Sequence, residues 1–231
     1  MCGRLNLTDA PGVIQLMADL GFDTRGLQPR DYEHAYNLAP TERVVVGLKE
    51  GGQHLLKSLI WWLTPAWAPE ISHQYAMFNA RGETVASSPA FREAFRATRC
   101  LIPATGFIEW QQRQGVKTPL LIEPPGPFCC FAGLWTRWRK NPHHESFAII
   151  TAASQGAFAG IHSRMPVFLE PEAFDLWLDA SAPLDVIQSL IASKPFNGWR
   201  ATPVSSRVSN SRNKDADCLA VEGEATALDG V

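Results

Sequence analysis

A chain of 231 residues with 45% hydrophobic residues, 19% charged residues and a net charge of -2 has the composition of an ordinary globular protein, which excludes disorder for its bulk. A protein that coats itself in nucleic acid is basic overall, so any DNA or RNA contact here must come from a local patch. Cys2, Cys100, Cys129, Cys130 and Cys218 are odd in number and lack the paired short spacings of a zinc site or disulfide framework, so they read as reduced thiols and no metal is assigned.

The N-terminus has no basic stretch followed by an apolar run, and no segment approaches the length that spans a bilayer, so a cytoplasmic protein is expected. The pattern predicts a first helix over 8–20, with Thr8 as N-cap, Pro11 in the first turn and Val13, Ile14, Met17 and Leu20 on one side. Strands follow at 43–48 and 54–62, joined through Gly51-Gly52 as a hairpin. Ser88 and Pro89 open a short helix ending near Arg96. Five strands are expected at 99–103, 105–111, 118–123, 128–135 and 146–153, then helices at 171–180 and 184–193 and a last strand at 199–204. Strands clustered in the middle without a helix after each argue for a mainly antiparallel α+β fold. One domain over 1–220 is expected, with a disordered tail at 221–231.

Four stretches concentrate reactive groups: "MCGR" at the start, "NARGET" (79–84), "GFIEW" (106–110) and "HSRMP" (162–166). If Met1 is removed, Cys2 carries a free α-amine and a thiol on adjacent carbons. Arg4, two residues on, would lower the pKa of both groups. Glu109 interrupts an apolar segment. A strand with Phe107 and Glu109 on one face would set the carboxylate among hydrophobic neighbours and prepare it for proton exchange, although on its own it reads better as a polar residue on the solvent face of an edge strand. His162 lies in a loop where a neutral imidazole can act as acid or base, a role most lone histidines do not have. Arg81 and Arg164 sit in loop-like contexts beside polar residues, either to bind phosphates or to pair with nearby acids. Cys129 and Cys130 point to opposite faces of a strand and cannot jointly chelate. Trp67, between two prolines, and Trp110, beside Glu109, are candidates for stacking on unpaired bases, with packed anchoring as the alternative.

In order along the chain, "MCGR", "YNLAPT" (36–41), "NARGET", "GFIEW", "HSRMPV" and "PVSSRVSN" (203–210) resemble the successive motifs of the SOS response-associated peptidase (SRAP) family, over residues 2 to about 213. The resemblance implies a strongly curved, barrel-like antiparallel sheet flanked by helices, binding of single-stranded DNA, and covalent capture of abasic sites. It makes Cys2 the nucleophile, Glu109 and His162 the acid/base groups, and Asn79 a polar residue of the pocket. Arg4, Arg81 and Arg164 become phosphate ligands, and Tyr75 and Trp110 face the bases flanking the lesion. Asn37 and Pro40 fall in a loop near the site, in a supporting role. Ile108 stands where the family often has tyrosine, which removes no reactive group.

The implied partner is single-stranded DNA containing abasic sites, with the protein a monomer, nucleoid-associated when on DNA, and without a cofactor or membrane contact. The implied chemistry is closure of a thiazolidine on the sugar aldehyde by the aminothiol of Cys2 after autocatalytic loss of Met1. Two other enzyme classes also use such a start, the N-terminal-cysteine glutamine amidotransferases and the cysteine peptidases. The motifs after residue 4 do not follow the amidotransferase pattern.

Overall fold

The computed structural model describes residues 2–229. The chain opens with β1 (Leu5–Leu7), α1 (Ala10–Asp19) and β2 (Ala35–Leu38). The expected hairpin follows as β3 (Arg43–Glu50) and β4 (Gln53–Ile60). Gly51 and Gly52 turn it at φ of 58° and 81°, the left-handed pair of a type I′ turn. Next come β5 (Asn79–Arg81), α2 (Arg92–Ala97) and β6 (Arg99–Ala104). β7 (Gly106–Arg113), β8 (Val116–Glu123), β9 (Cys129–Trp138) and β10 (Asn141–Ala153) complete the central strands. The last third holds β11 (Arg164–Pro166), β12 (Phe168–Leu169), α3 (Phe174–Leu178), α4 (Leu184–Leu190), β13 (Arg200–Pro203) and β14 (Thr226–Ala227).

Two sheets result. In the first, β10, β4, β3, β6 and β9 pair in that order, and a further β9–β10 pairing closes the ring into a five-stranded barrel. The β4–β10 seam is parallel, through Ile60 and Ser146, and the other pairings of the ring are antiparallel. The second sheet runs β14-β13-β8-β7-β1-β2 and is antiparallel throughout. The α+β, mainly antiparallel, barrel-like fold expected from the sequence is the one observed.

Alternation along the barrel strands divides the core in two. Leu101, Cys130, Ala132, Leu134, Ala148 and Ile150 face outward and are covered by α1 (Val13, Ile14, Met17), α2 (Phe95), α3 (Phe174, Trp177) and α4 (Ile187). Val44, Val46, Leu48, Cys100, Ile102, Phe131, Phe147 and Ile149 form the inner cluster, which continues onto Leu5, Phe107 and Ile122 of the second sheet. The opposite faces of β9 are thus occupied by Cys129 and Cys130, as alternation requires. Gly133 lies on the inner face, where a Cβ would sit 2.2 Å from Ile102 Cδ1, so only glycine fits.

Several boundaries differ from the sequence expectation. Thr8 does not cap α1. Its hydroxyl goes to Thr105 Oγ1, and Asp9 accepts from the Gly12 N–H instead. Leu20 falls outside the helix and is exposed. The segment from Ser88 enters its helix only at Arg92, through a turn in which Ser88 O accepts from Phe91 and Arg92. Helix 171–180 is a 3-10 turn at Pro171–Ala173 followed by the short α3. Within 221–229, β14 pairs with β13, Leu228 is buried, and Asp229 accepts from the Gly198 N–H at 2.7 Å.

Candidate active site

β1 is too short to stand alone, and it is held between β2 and β7. The β1–β7 ladder continues past Leu5 and Phe107, because the Ile108 N–H donates to Arg4 O at 3.0 Å. The chain before Leu5 therefore runs alongside the middle of β7. Cys2 is fully buried there, within the inner cluster of the barrel. Asn79, the first residue of β5, donates from Nδ2 to Cys2 O at 2.9 Å. Its Oδ1 is buried and has no hydrogen-bond partner among the described residues, leaving an acceptor available next to Cys2.

Glu109 is only 2% exposed. Its strand lies inside the sheet between β1 and β8, so the solvent-facing edge position does not apply, and Phe107 beside it on the same face belongs to the inner cluster. The thiol of Cys2 is pushed well above its ordinary value, first by burial and then by the negative charge of Glu109. The net shift is opposite to the one expected from Arg4, whose backbone hydrogen bond lowers the value by less than burial and Glu109 raise it. That side chain leaves on the other face of the strand, where its guanidinium sits 5.7 Å from the Trp110 ring centroid and Nη1 bonds Gly3 O at 3.0 Å.

His162 follows the 3-10 turn Gly156–Gly160. His162 Nδ1 lies 3.0 Å from both the N–H and the carbonyl oxygen of Arg164, which fixes the orientation of the ring. The turn is tied to β7 twice: Phe158 packs on Phe107 at 5.9 Å between centroids, and Gln111 Nε2 donates to Gly160 O at 2.9 Å. Gln111 shares its strand face with Phe107 and Glu109, a relation readable from the two-residue alternation of "GFIEWQQ" though the sequence reading passed over it.

β5 and β11 both pair with the end of β10 around Thr151. Arg164 donates two parallel bonds to Glu83, at 3.0 and 2.9 Å, and also binds Thr151 Oγ1 and O. It is thus engaged with an acid within the fold, one of the two alternatives the sequence left open. The charge assistance runs both ways, since Arg164 holds the Glu83 carboxyl below its usual range. Arg81 is exposed one strand away.

The remaining candidates are distributed around this centre. Trp110 lies on the sheet face opposite Glu109, against Ile108 and Val208, with Lys117 Nζ 5.4 Å from its ring and Nε1 donating to Ser209 Oγ at 3.2 Å. Tyr75 and Trp67 are 69% and 48% exposed, on a segment between β4 and β5 anchored by Trp138 Nε1 to Ala68 O at 2.8 Å. Asn37 is buried with φ of 53°, and its Nδ2 donates to Asn210 O and Asn213 O at 3.0 and 3.1 Å. It latches β2 to the 206–213 segment that also meets Arg4 and Trp110, which makes it a scaffold residue, with the half-buried Pro40 three residues on. Among the described residues no three His, Cys, Asp or Glu side chains gather as a metal would require, and no helix is long and apolar enough to cross a membrane.

Known proteins resemble this chain over most of its length. The chain is 33% identical over 228 residues to "Abasic site processing protein YoaM" of Bacillus subtilis, covering 96% of this chain and 99% of that protein. It is 31% identical to "Abasic site processing protein YedK" of Escherichia coli, covering 95% and 99%, and 30% identical to "Abasic site processing protein HMCES" of Xenopus tropicalis, covering 95% and 78%. A solved structure of a Bacteroides thetaiotaomicron protein superposes with a TM-score of 0.77 at 25% identity, covering 94% of this chain and 98% of the other. The family model for SOS response associated peptidase (SRAP) matches residues 1–211, and with these relatives it establishes that the chain belongs to that family.

Proposed function

We propose that this protein binds single-stranded DNA and captures abasic sites covalently through Cys2 after removal of Met1. The observation that carries the reading is the second residue of the chain, buried at the head of β1, held by Asn79 and lying within electrostatic range of Glu109. A leftover of translation has no reason to occupy a barrel interior beside a carboxylate. The names of the relatives supply the substrate class.

The ring-opened abasic sugar exposes an aldehyde at C1′. The α-amine of Cys2 attacks it and, with loss of water, forms an imine. The thiol then adds across the C=N bond, its sulfur to carbon and its proton to nitrogen, and closes a five-membered thiazolidine. The high thiol pKa fits this order of events: sulfur stays protonated while the amine, with an ordinary pKa of about 7.7 to 8.0, makes the first attack. A cysteine peptidase or amidotransferase acting through a thiolate would need the opposite shift.

Glu109 serves as the proton shuttle for sugar opening and for the amine, and His162 assists imine formation and its reversal. Asn79 Oδ1 accepts from the sugar or the amine. Arg4 and Arg81 bind phosphates, while Arg164 reaches one only by giving up Glu83. Trp110, Tyr75 and Trp67 offer ring faces to unstacked bases. The test is incubation with an oligonucleotide bearing one abasic site. A heat-stable adduct that disappears in Cys2→Ala, and also after acetylation of the α-amine, supports the reading; an adduct that survives amine acetylation refutes the imine route.

A further inference from the structure

Three successive inward positions of β7 have three different partners. Phe107 packs on Phe158, Glu109 lies by Cys2, and Gln111 donates to Gly160 O at 2.9 Å. Phe158 and Gly160 both belong to the turn that delivers His162, and the His162 N–H itself returns to Phe158 O at 3.2 Å. The strand that carries the carboxylate therefore also holds the segment that carries the imidazole. A ring contact such as Phe107–Phe158 fixes separation but tolerates sliding, whereas a directed N–H···O bond fixes register.

We infer that Gln111 is a positioning residue, whose amide sets the His162 loop at the height of Glu109 so that both proton-transfer groups address the same bound sugar. The inference rests on the proposed covalent capture, because only a reaction that uses both groups needs their mutual placement. Gln111 touches no reacting atom. It acts through Gly160 and the turn, and a displacement of about 1 Å at a proton-transfer group can cost on the order of a hundredfold in rate.

The experiment compares Gln111→Glu, which keeps the side-chain length but replaces the donor with a repelling carboxylate, with Gln111→Lys, which restores a donor. Single-turnover adduct formation on the abasic oligonucleotide is measured with each, alone and in a His162→Ala background. Gln111→Glu is expected to slow capture roughly tenfold, Gln111→Lys to recover most of the rate, and noncovalent binding of an undamaged strand to stay unchanged. In the His162→Ala background, Gln111→Glu should cost nothing further, the signature of two residues acting as one unit. An equal loss in that background, or a wild-type rate in Gln111→Glu, overturns the inference. If the wild-type protein forms no Cys2-dependent adduct, the reading of function has failed instead. The positioning claim is then decided by NMR of the DNA-free protein: His162 ring resonances must shift or broaden in Gln111→Glu, and unchanged resonances refute it.

Discussion

The side-chain amide of Asn79 and the backbone carbonyl of Cys2 are joined by a 2.9 Å hydrogen bond, the direct tie between the barrel and the proposed nucleophile. β5 pairs in parallel with β10 of the barrel, so the bond fixes Cys2 relative to the barrel wall. Asn79→Ala should therefore leave the fold and strand affinity intact while slowing adduct formation on the order of tenfold or more, as the amine loses its fixed approach. Asn79→Asp replaces the Nδ2 donor with an oxygen that repels Cys2 O and should be no better than alanine. Quench-flow adduct yields for the two variants check both statements, and an Asn79→Asp enzyme at full rate would show that the backbone tie is dispensable.

The charge of Glu109 opposes ionisation of the Cys2 thiol. The thiol pKa is raised by burial and, in second place, by the carboxylate charge, so neutralising that charge lowers it without returning it to the ordinary value. At a given pH near neutrality Glu109→Gln then holds more thiolate than the wild type. Iodoacetamide should label Cys2 faster in this variant, read by mass spectrometry of the N-terminal peptide, while abasic-site capture becomes slower for want of the proton shuttle. The two rates must move in opposite directions. Parallel decreases would mean that Glu109 supports the local fold and has no electrostatic hold on the thiol.

Arg81 and Arg164 look equivalent in sequence and are not equivalent in the fold. Arg81 is exposed, whereas Arg164 is largely buried and bound to Glu83 and Thr151. Arg81→Gln should reduce the slope of log affinity against log salt for single-stranded DNA by about 0.7, one phosphate contact, with no change in melting temperature. Arg164→Gln should lower the melting temperature, because Glu83 loses its bidentate cation and keeps the Ala153 N–H, and the Thr151 carbonyl loses one of its two donors. Tyr75, on the surface, gives the complementary test: Tyr75→Ala should weaken strand binding by roughly 1 to 3 kcal/mol if a base stacks there, with stability untouched. Salt titrations by fluorescence anisotropy, paired with thermal melts, separate these outcomes.

What the sequence could convey depended on the range of the interaction. The β3–β4 hairpin was legible because Gly51-Gly52 and its flanking alternation are local signals. Burial of Glu109 was not, because it follows from β1 and β8 closing on both sides of β7, and β1 is a three-residue strand with no pattern of its own. The sign of the Cys2 shift failed for a related reason: Arg4 is near in the chain, but residues 2–4 precede the regular strand, and while Cys2 enters the inner cluster the Arg4 guanidinium lies over Trp110. The residues Cys2, Asn79, Glu109 and His162 were found by motif order, whereas the Gln111–Gly160 bond and the Glu83–Arg164 pair became visible only with the chain folded.

The barrel also depends on a buried cation that no motif announces. Arg99, at the start of β6, is nearly inaccessible, and its guanidinium bonds four carbonyls: Nε to Trp177 O at 2.5 Å, Nη1 to Phe95 O at 2.6 Å and Arg96 O at 2.9 Å, and Nη2 to Asp179 O at 2.5 Å. These acceptors come from the C-terminal ends of α2 and α3, where helix carbonyls lack intrahelical partners. One planar fork thus caps two helices against the outside of the barrel, and its ring neighbour is Trp177 at 5.7 Å. Burial lowers the Arg99 pKa, with the Asp179 charge opposing that shift, so the charge is retained. Lysine cannot reproduce the fork, since its three donors radiate from one nitrogen. Arg99→Lys should therefore cost about 2 to 4 kcal/mol, comparable to leaving one or two buried acceptors unpaired. At roughly 2 to 4 °C per kcal/mol for a chain of this size, the melting temperature should fall by several degrees. Capture per folded molecule should be unchanged at low temperature, because the helices lie across the barrel wall from Cys2. A variant that melts with the wild type would show that water replaces the guanidinium at these carbonyls without loss.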